Sequence, residues 1–247
     1  MAELHEGPAA AHVERFTIAA CDGIDLPTIR ATPDHAARAG IVLHPDLMGI
    51  RPLFDDLCRR VATHGYEVLA PEPFARAPDA VRNAAEPATR IAYLAELDDD
   101  LQLDDLDRAA SVLRDLDSIE QVHVMGFCMG GMQTFKAAAT GAFDRAVAFY
   151  GMIRIPIDWR APLLREPLTT ARDVCPTLAV FGAADLFTPS ADIDALRRSW
   201  KSRPDCKIVV YRDAEHGFVH VPDRPAHRAG DAADAWHRAL EFLALSA

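Results

Sequence analysis

The sequence has no apolar run approaching the length of a membrane span, no C-x-x-C pair and no surplus of basic residues. Each absence removes a class of function. Without roughly 18 consecutive apolar residues, no transmembrane helix is expected. Met1-Ala2-Glu3-Leu4-His5-Glu6 lacks the basic and apolar regions of a secretory leader, so a soluble, cytoplasmic protein is expected. The five cysteines (Cys21, Cys58, Cys128, Cys175 and Cys206) are odd in number and widely spaced, which suggests neither a disulfide framework nor a zinc site. With 37 acidic against 26 basic residues, the net charge of −11 argues against a nucleic-acid surface. It leaves a small substrate open, because local cations can still hold an anion. No internal repeat, low-complexity tail or composition break divides the chain, so residues 1–247 are expected to form a single domain.

Half the residues are apolar, enough for a large core. Val13–Ala20 and Leu26–Thr32, joined by Cys21-Asp22-Gly23, read as a hairpin of edge strands with an Asp-Gly turn signal. Gly40–His44 is a third strand, Pro52–Thr63 a helix closed by His64-Gly65, and Tyr66–Ala70 a fourth strand. From Ala88 to Leu116 the apolar spacing is helical, with a second helix expected to start near Asp104. The acidic run within it (Glu96, Asp98, Asp99, Asp100, Asp104, Asp105, Asp107) reads as a solvated helix face rather than a metal site. Strands at Arg145–Tyr150, Thr177–Phe181 and Lys207–Tyr211 follow, with helices at Ser190–Ser202 and His227–Leu245. This alternation predicts an α/β fold with a mostly parallel central sheet of about eight strands and helices on both faces.

The stretch from Gln121 to Met132 carries V-H-V-M-G-F-C-M-G-G-M. A short buried strand leads into a turn with Cys128 at its apex, Gly126 and Gly130 two residues to either side, and a helix to Gly141. Strand, sharp turn and helix with a reactive atom at the apex form the nucleophile elbow of α/β-hydrolases. Side chains at the two glycines would collide with neighbouring elements. The apex is cysteine rather than the usual serine. A thiol becomes a strong nucleophile once a base or a helix N-terminus favours the thiolate. The competing reading is a small buried hydrophobe on a glycine-rich turn.

In such sheets functional residues lie beyond the carboxyl ends of the strands. Asp185 follows a strand in F-G-A-A-D-L-F-T-P, and His216 follows another in Y-R-D-A-E-H-G-F. Nucleophile, acid and base then occur in the hydrolase order. His216 would take and return the proton, and Asp185 would fix its tautomer. Singly, His216 could be a loop histidine and Asp185 a helix cap. Glu215 competes for the acid role, but adjacent loop residues rarely aim at each other.

With G-F-C-M-G-G around Cys128, F-D-R-A-V-A-F-Y-G at Phe143–Gly151, G-A-A-D-L-F-T-P around Asp185 and A-E-H-G-F around His216, the chain resembles the dienelactone hydrolases (carboxymethylenebutenolidases) from roughly Ala39 to Leu243. The resemblance implies an α/β-hydrolase fold and a cofactor-free, metal-free esterase acting on lactones or activated esters. It implies a Cys128-Asp185-His216 triad, an oxyanion hole from the backbone N–H groups of Leu47 and Met129, and a monomer, with a homodimer as the alternative. Two departures stand out. The family places a glutamate against the resting thiol where this chain has Asp46, which could instead cap the helix near Pro52. The family's substrate-binding arginine, four residues beyond the histidine, is replaced by His220. A second family arginine has an approximate match in Arg90, with Tyr93 as companion, and Arg76 and Arg224 are either substitutes or surface charges. The leading expectation is a cysteine hydrolase of a small ester or lactone. The alternatives are an acyl transferase or thioesterase using the same triad, and a binding module without turnover.

Overall fold

The computed structural model describes residues 4–245. Met1, Ala2 and Glu3, within the segment read for a leader, lie outside the described residues, as do Ser246 and Ala247. Eight strands form one sheet: β1 (Ala11–Ala19), β2 (Asp25–Pro33), β3 (Ala39–His44), β4 (Tyr66–Pro71), β5 (Val122–Phe127), β6 (Arg145–Phe149), β7 (Thr177–Gly182) and β8 (Lys207–Tyr211). Their order is β1-β2-β4-β3-β5-β6-β7-β8. β1 pairs with β2, and β2 with β4, in antiparallel fashion; every other pairing is parallel. The chain turns from β1 to β2 at Gly23, whose positive φ of 83° suits the tight connection.

β3 to β7 are buried along their whole length, because a parallel sheet is covered on both faces. Alternate side chains supply two cores. Ile41, Leu43, Val68, Met125, Phe127, Val147, Phe149 and Val180 pack on one face against α1 (Pro52–Ala62) and, late in the chain, a helix over Ala229–Ala244. Val42, Leu69, Val124, Ala146, Ala148 and Phe181 face the other way, toward helices over Asp99–Arg114, Met129–Ala137 and Ser190–Ser199. Counting the two short helices Asp79–Arg82 (α2) and Pro87–Tyr93 (α3), these become α4, α5, α6 and, for the last, α7. A third, smaller cluster joins Leu47, Phe74, Leu94, Met129, Met152 and Trp159 above the carboxyl ends of the strands. No helix among the described residues is long and apolar enough to cross a membrane.

The acidic segment departs from expectation. α4 begins at Asp99 rather than Asp104, because extended Asp98 caps it by accepting the Asp100 N–H at 2.9 Å. Nor is the run uniformly solvated. Asp99 is buried with both oxygens 2.8 Å from Lys136 Nζ, and buried Asp105 accepts two hydrogen bonds from Arg76. Burial of these carboxylates is offset by paired cations contributed from distant parts of the chain. Asp100, Asp104 and Asp107 remain on the surface.

Candidate active site

The chemistry-bearing side chains gather beyond the carboxyl ends of β3, β5, β6, β7 and β8. β5 ends at Phe127 and α5 starts at Met129, leaving Cys128 alone to reverse the chain. Its φ of 57° and ψ of −117° are strained for a side-chain-bearing residue. The strain persists because the surroundings over-determine it. A Cβ on Gly126 would overlap the Gly130 carbonyl, and one on Gly130 would overlap the His44 and Pro45 carbonyls. Cys128 remains partly exposed.

His216 and Asp185 meet as the sequence order suggested. His216 Nδ1 lies 2.8 Å from Asp185 Oδ2, and Asp185 Oδ1 accepts the Phe187 N–H at 2.7 Å. The Asp185 side chain is wholly buried, so its acceptors are committed. Glu215 points to solvent. Burial alone would lower the His216 pKa. Its interactions with the Cys128 sulfur and the Asp185 carboxylate outweigh it and hold the imidazole up at about 10. That stabilisation couples His216 directly to Cys128.

The loop after β3 closes the site from the other side. Leu47 lines the cavity with Cys128. Among the described residues, neither the Leu47 N–H nor the Met129 N–H has a hydrogen-bond partner. Asp46 is not a helix cap, since Arg51 occupies that place before α1. Instead Asp46 accepts from the Met48 N–H at 2.8 Å, from Arg51 Nη1 and Nη2 at 2.7 and 2.8 Å, and contacts His220 Nε2 at 2.8 Å. Burial would raise its carboxyl, but the His220 and Arg51 hydrogen bonds hold it well below the usual carboxylate range. His220 is 1% exposed; burial pushes it down, toward the neutral form. Its Nδ1 is bonded to the Tyr150 hydroxyl.

A cavity of about 400 Å³ opens over Cys128 and His216. Leu47, Met48, Ile91, Trp159, Phe187 and Val221 give it apolar walls, and Asp46, Arg51 and Arg224 a charged side. Arg51 is committed to Asp46. The Arg224 guanidinium has no hydrogen bond or ion pair among the described residues. The other candidate substrate residues lie elsewhere. Arg90 is buried behind the wall, 4.0 Å from Glu72 and over the Phe74 ring, and is not among the lining residues. Tyr93 reaches the Arg76 carbonyl at 3.4 Å, and Arg76 itself is bound to Asp22 and Asp105. His220 lies beneath the site rather than in it. Sequence reasoning did not single out Arg51, Tyr150, Trp159 or Phe187. Tyr150 had a signal, its place between the end of β6 and Gly151. Among the described residues no cluster of three or more His, Cys, Asp or Glu side chains could hold a metal ion.

Comparison with known proteins agrees with this architecture. A model of the dienelactone hydrolase family matches residues 26–246. A carboxymethylenebutenolidase from Rhodococcus opacus is 30% identical over 224 residues, spanning 88% of this chain and 85% of its own. An Escherichia coli (strain K12) protein named "Putative carboxymethylenebutenolidase" is 30% identical over 242 residues, covering 96% of this chain and 88% of its own. The crystal structure of a "Putative Dienelactone Hydrolase" from Klebsiella pneumoniae subsp. pneumoniae MGH 78578 superposes with a TM-score of 0.86 at 27% identity, over 96% of this chain and 100% of that one. With an eight-stranded α/β-hydrolase sheet and a match over nearly its whole length, this chain belongs to the dienelactone hydrolase family of ester and lactone hydrolases.

Proposed function

We propose that the protein hydrolyses a small carboxylic ester or lactone through Cys128, His216 and Asp185, by way of a thioester. The observation that carries this reading is the 2.8 Å contact of His216 with Asp185, in a cavity that also holds the elbow cysteine. In the resting pair the thiolate faces the imidazolium. The sulfur attacks the acyl carbon, and the carbonyl electron pair moves onto oxygen. The N–H groups of Leu47 and Met129 stabilise that oxyanion, a contribution of about 3 kcal/mol for each donor. Collapse breaks the C–O bond, and His216 delivers its proton to the departing alkoxide.

Acylation removes the thiolate charge, the largest influence holding His216 up. The neutral imidazole is then a suitable base for water. Water adds to the thioester carbonyl while His216 takes its proton, and the thiolate leaves. The acid product ionises and the imidazolium–thiolate pair returns. The cavity volume restricts the reading to small substrates, and its apolar walls favour an unsaturated or aromatic body. Arg224 offers an ionic partner to a substrate carboxylate.

Wild type and Cys128→Ala are to be compared on p-nitrophenyl acetate, a dienelactone carboxylate and an uncharged lactone. Wild-type turnover that falls by at least about 10⁴-fold in the variant is expected. Equal rates in the two proteins would defeat the assignment.

A further inference from the structure

We propose that His220 is a positioning residue for the reaction: bridging Tyr150 and Asp46, it fixes the loop that aims the Leu47 N–H at the acyl oxygen. This inference rests on the hydrolase reading above, and His220 and Tyr150 themselves lie outside the cavity lining.

An ionised carboxylate has about four lone-pair sites. Asp46 has four donors for them: the Met48 N–H, two N–H groups of Arg51 and His220 Nε2, all at 2.7–2.8 Å. With all four sites taken by its own loop, Arg51 and His220, Asp46 holds its loop rather than gating the nucleophile. Its bidentate partner Arg51 requires the ionised form. The proton on the Asp46–His220 contact therefore sits on Nε2. His220 Nδ1 is then an acceptor, and the Tyr150 O–H donates to it. One tautomer satisfies every member.

The network is also mechanically anchored. His220 stacks on Phe127 with ring centres 4.8 Å apart, and both histidine and tyrosine are buried away from competing water. Tyr150 is fixed to the sheet by its N–H on the Val180 carbonyl at 2.7 Å. Asp46 is thus tied to α1 through Arg51, to β6 through Tyr150, and to the segment carrying His216 through His220. Leu47, the next residue, inherits that restraint. A donor misplaced by a fraction of an ångström stabilises an oxyanion poorly while leaving the thiol untouched.

The test uses the full chain with two readouts, hydrolysis of p-nitrophenyl acetate and alkylation of Cys128 by iodoacetamide. Alkylation forms no oxyanion. In His220→Phe, kcat is expected to fall about 10- to 100-fold with KM and the alkylation rate within about threefold of wild type. His220→Gln, which keeps an N–H for Asp46, regains most of kcat, and Tyr150→Phe falls between. Wild-type kcat in His220→Phe overturns the proposal. So does alkylation that slows in step with kcat, which would place the histidine's effect on the thiol. Should His220→Phe fail to fold, an unchanged kcat in Tyr150→Phe, or a His220→Gln no better than background, overturns it equally. The underlying reading fails in a different way, by wild-type turnover that survives Cys128→Ala.

Discussion

Acid is expected to weaken this fold through His123, far from the catalytic end of the sheet. His123 lies at the start of β5, fully buried, opposite Arg145 on β6 and edge-on to Tyr66. Neither ring nitrogen has a hydrogen-bond partner among the described residues. Burial therefore penalises the cation, and with Arg145 and Arg38 adding to it against Asp144, the pKa falls from 6.5 to about 4. The sign follows from which state holds the proton. Below pH 6.5 the unfolded chain binds it and the folded chain does not, so stability is intact above 6.5 and declines as the pH falls toward 4. At 1.36 kcal/mol per pH unit, the 2.5-unit interval from 6.5 to 4 costs about 3 kcal/mol. Urea denaturation of wild type and His123→Leu from pH 4.5 to 7.5 isolates the effect, because all other titrating groups cancel in the difference. The variant is expected to lose about 1 kcal/mol less per pH unit near pH 5. Parallel pH profiles for the two proteins would refute the reasoning.

Two predictions concern the site itself. The interaction with Cys128 is the largest influence raising His216, so in Cys128→Ala the imidazole is expected to titrate well below its wild-type value of about 10, as followed by NMR of the ring protons; an unmoved titration would break the proposed coupling of the two side chains. Arg224→Gln is expected to raise KM about 10-fold or more for a carboxylate-bearing lactone while sparing a neutral one, in keeping with loss of a charged hydrogen bond. Equal losses on both substrates would assign Arg224 to the architecture of the cavity instead.

The elbow and the strand-end placement of Asp185 and His216 were legible because they follow from backbone order. A residue just past a parallel strand is delivered to the same edge whatever the helices do. Side-chain destinations on helices were harder. Arg90 and Ile91 are neighbours, yet about 100° of helical rotation sends the arginine inward toward Glu72 and the isoleucine to the cavity. The acidic run reads as a solvated face because Asp99 and Asp105 look exposed in isolation; Lys136 and Arg76, which make their burial tolerable, come from elsewhere in the chain. From sequence alone Asp46 fits either a cap or a thiol partner. Its bidentate partner Arg51 appears only once the loop folds back on itself.

The glycines around the elbow have a consequence for how the enzyme can change. Gly126 meets Gly130, Gly130 meets the peptide units after β3, and Gly131 meets Gly151 and the Phe149 carbonyl, with no room for a Cβ at these approaches. Main chain thus abuts main chain from β3 through β5 and α5 to β6. The sulfur's address is set by peptide geometry, which every sequence shares, and not by the rotamers of a hydrophobic core. Core residues on either face can therefore drift and alter stability while the Cys128 sulfur stays where it is. The walls of the cavity, made of side chains, are the part left open to diversify.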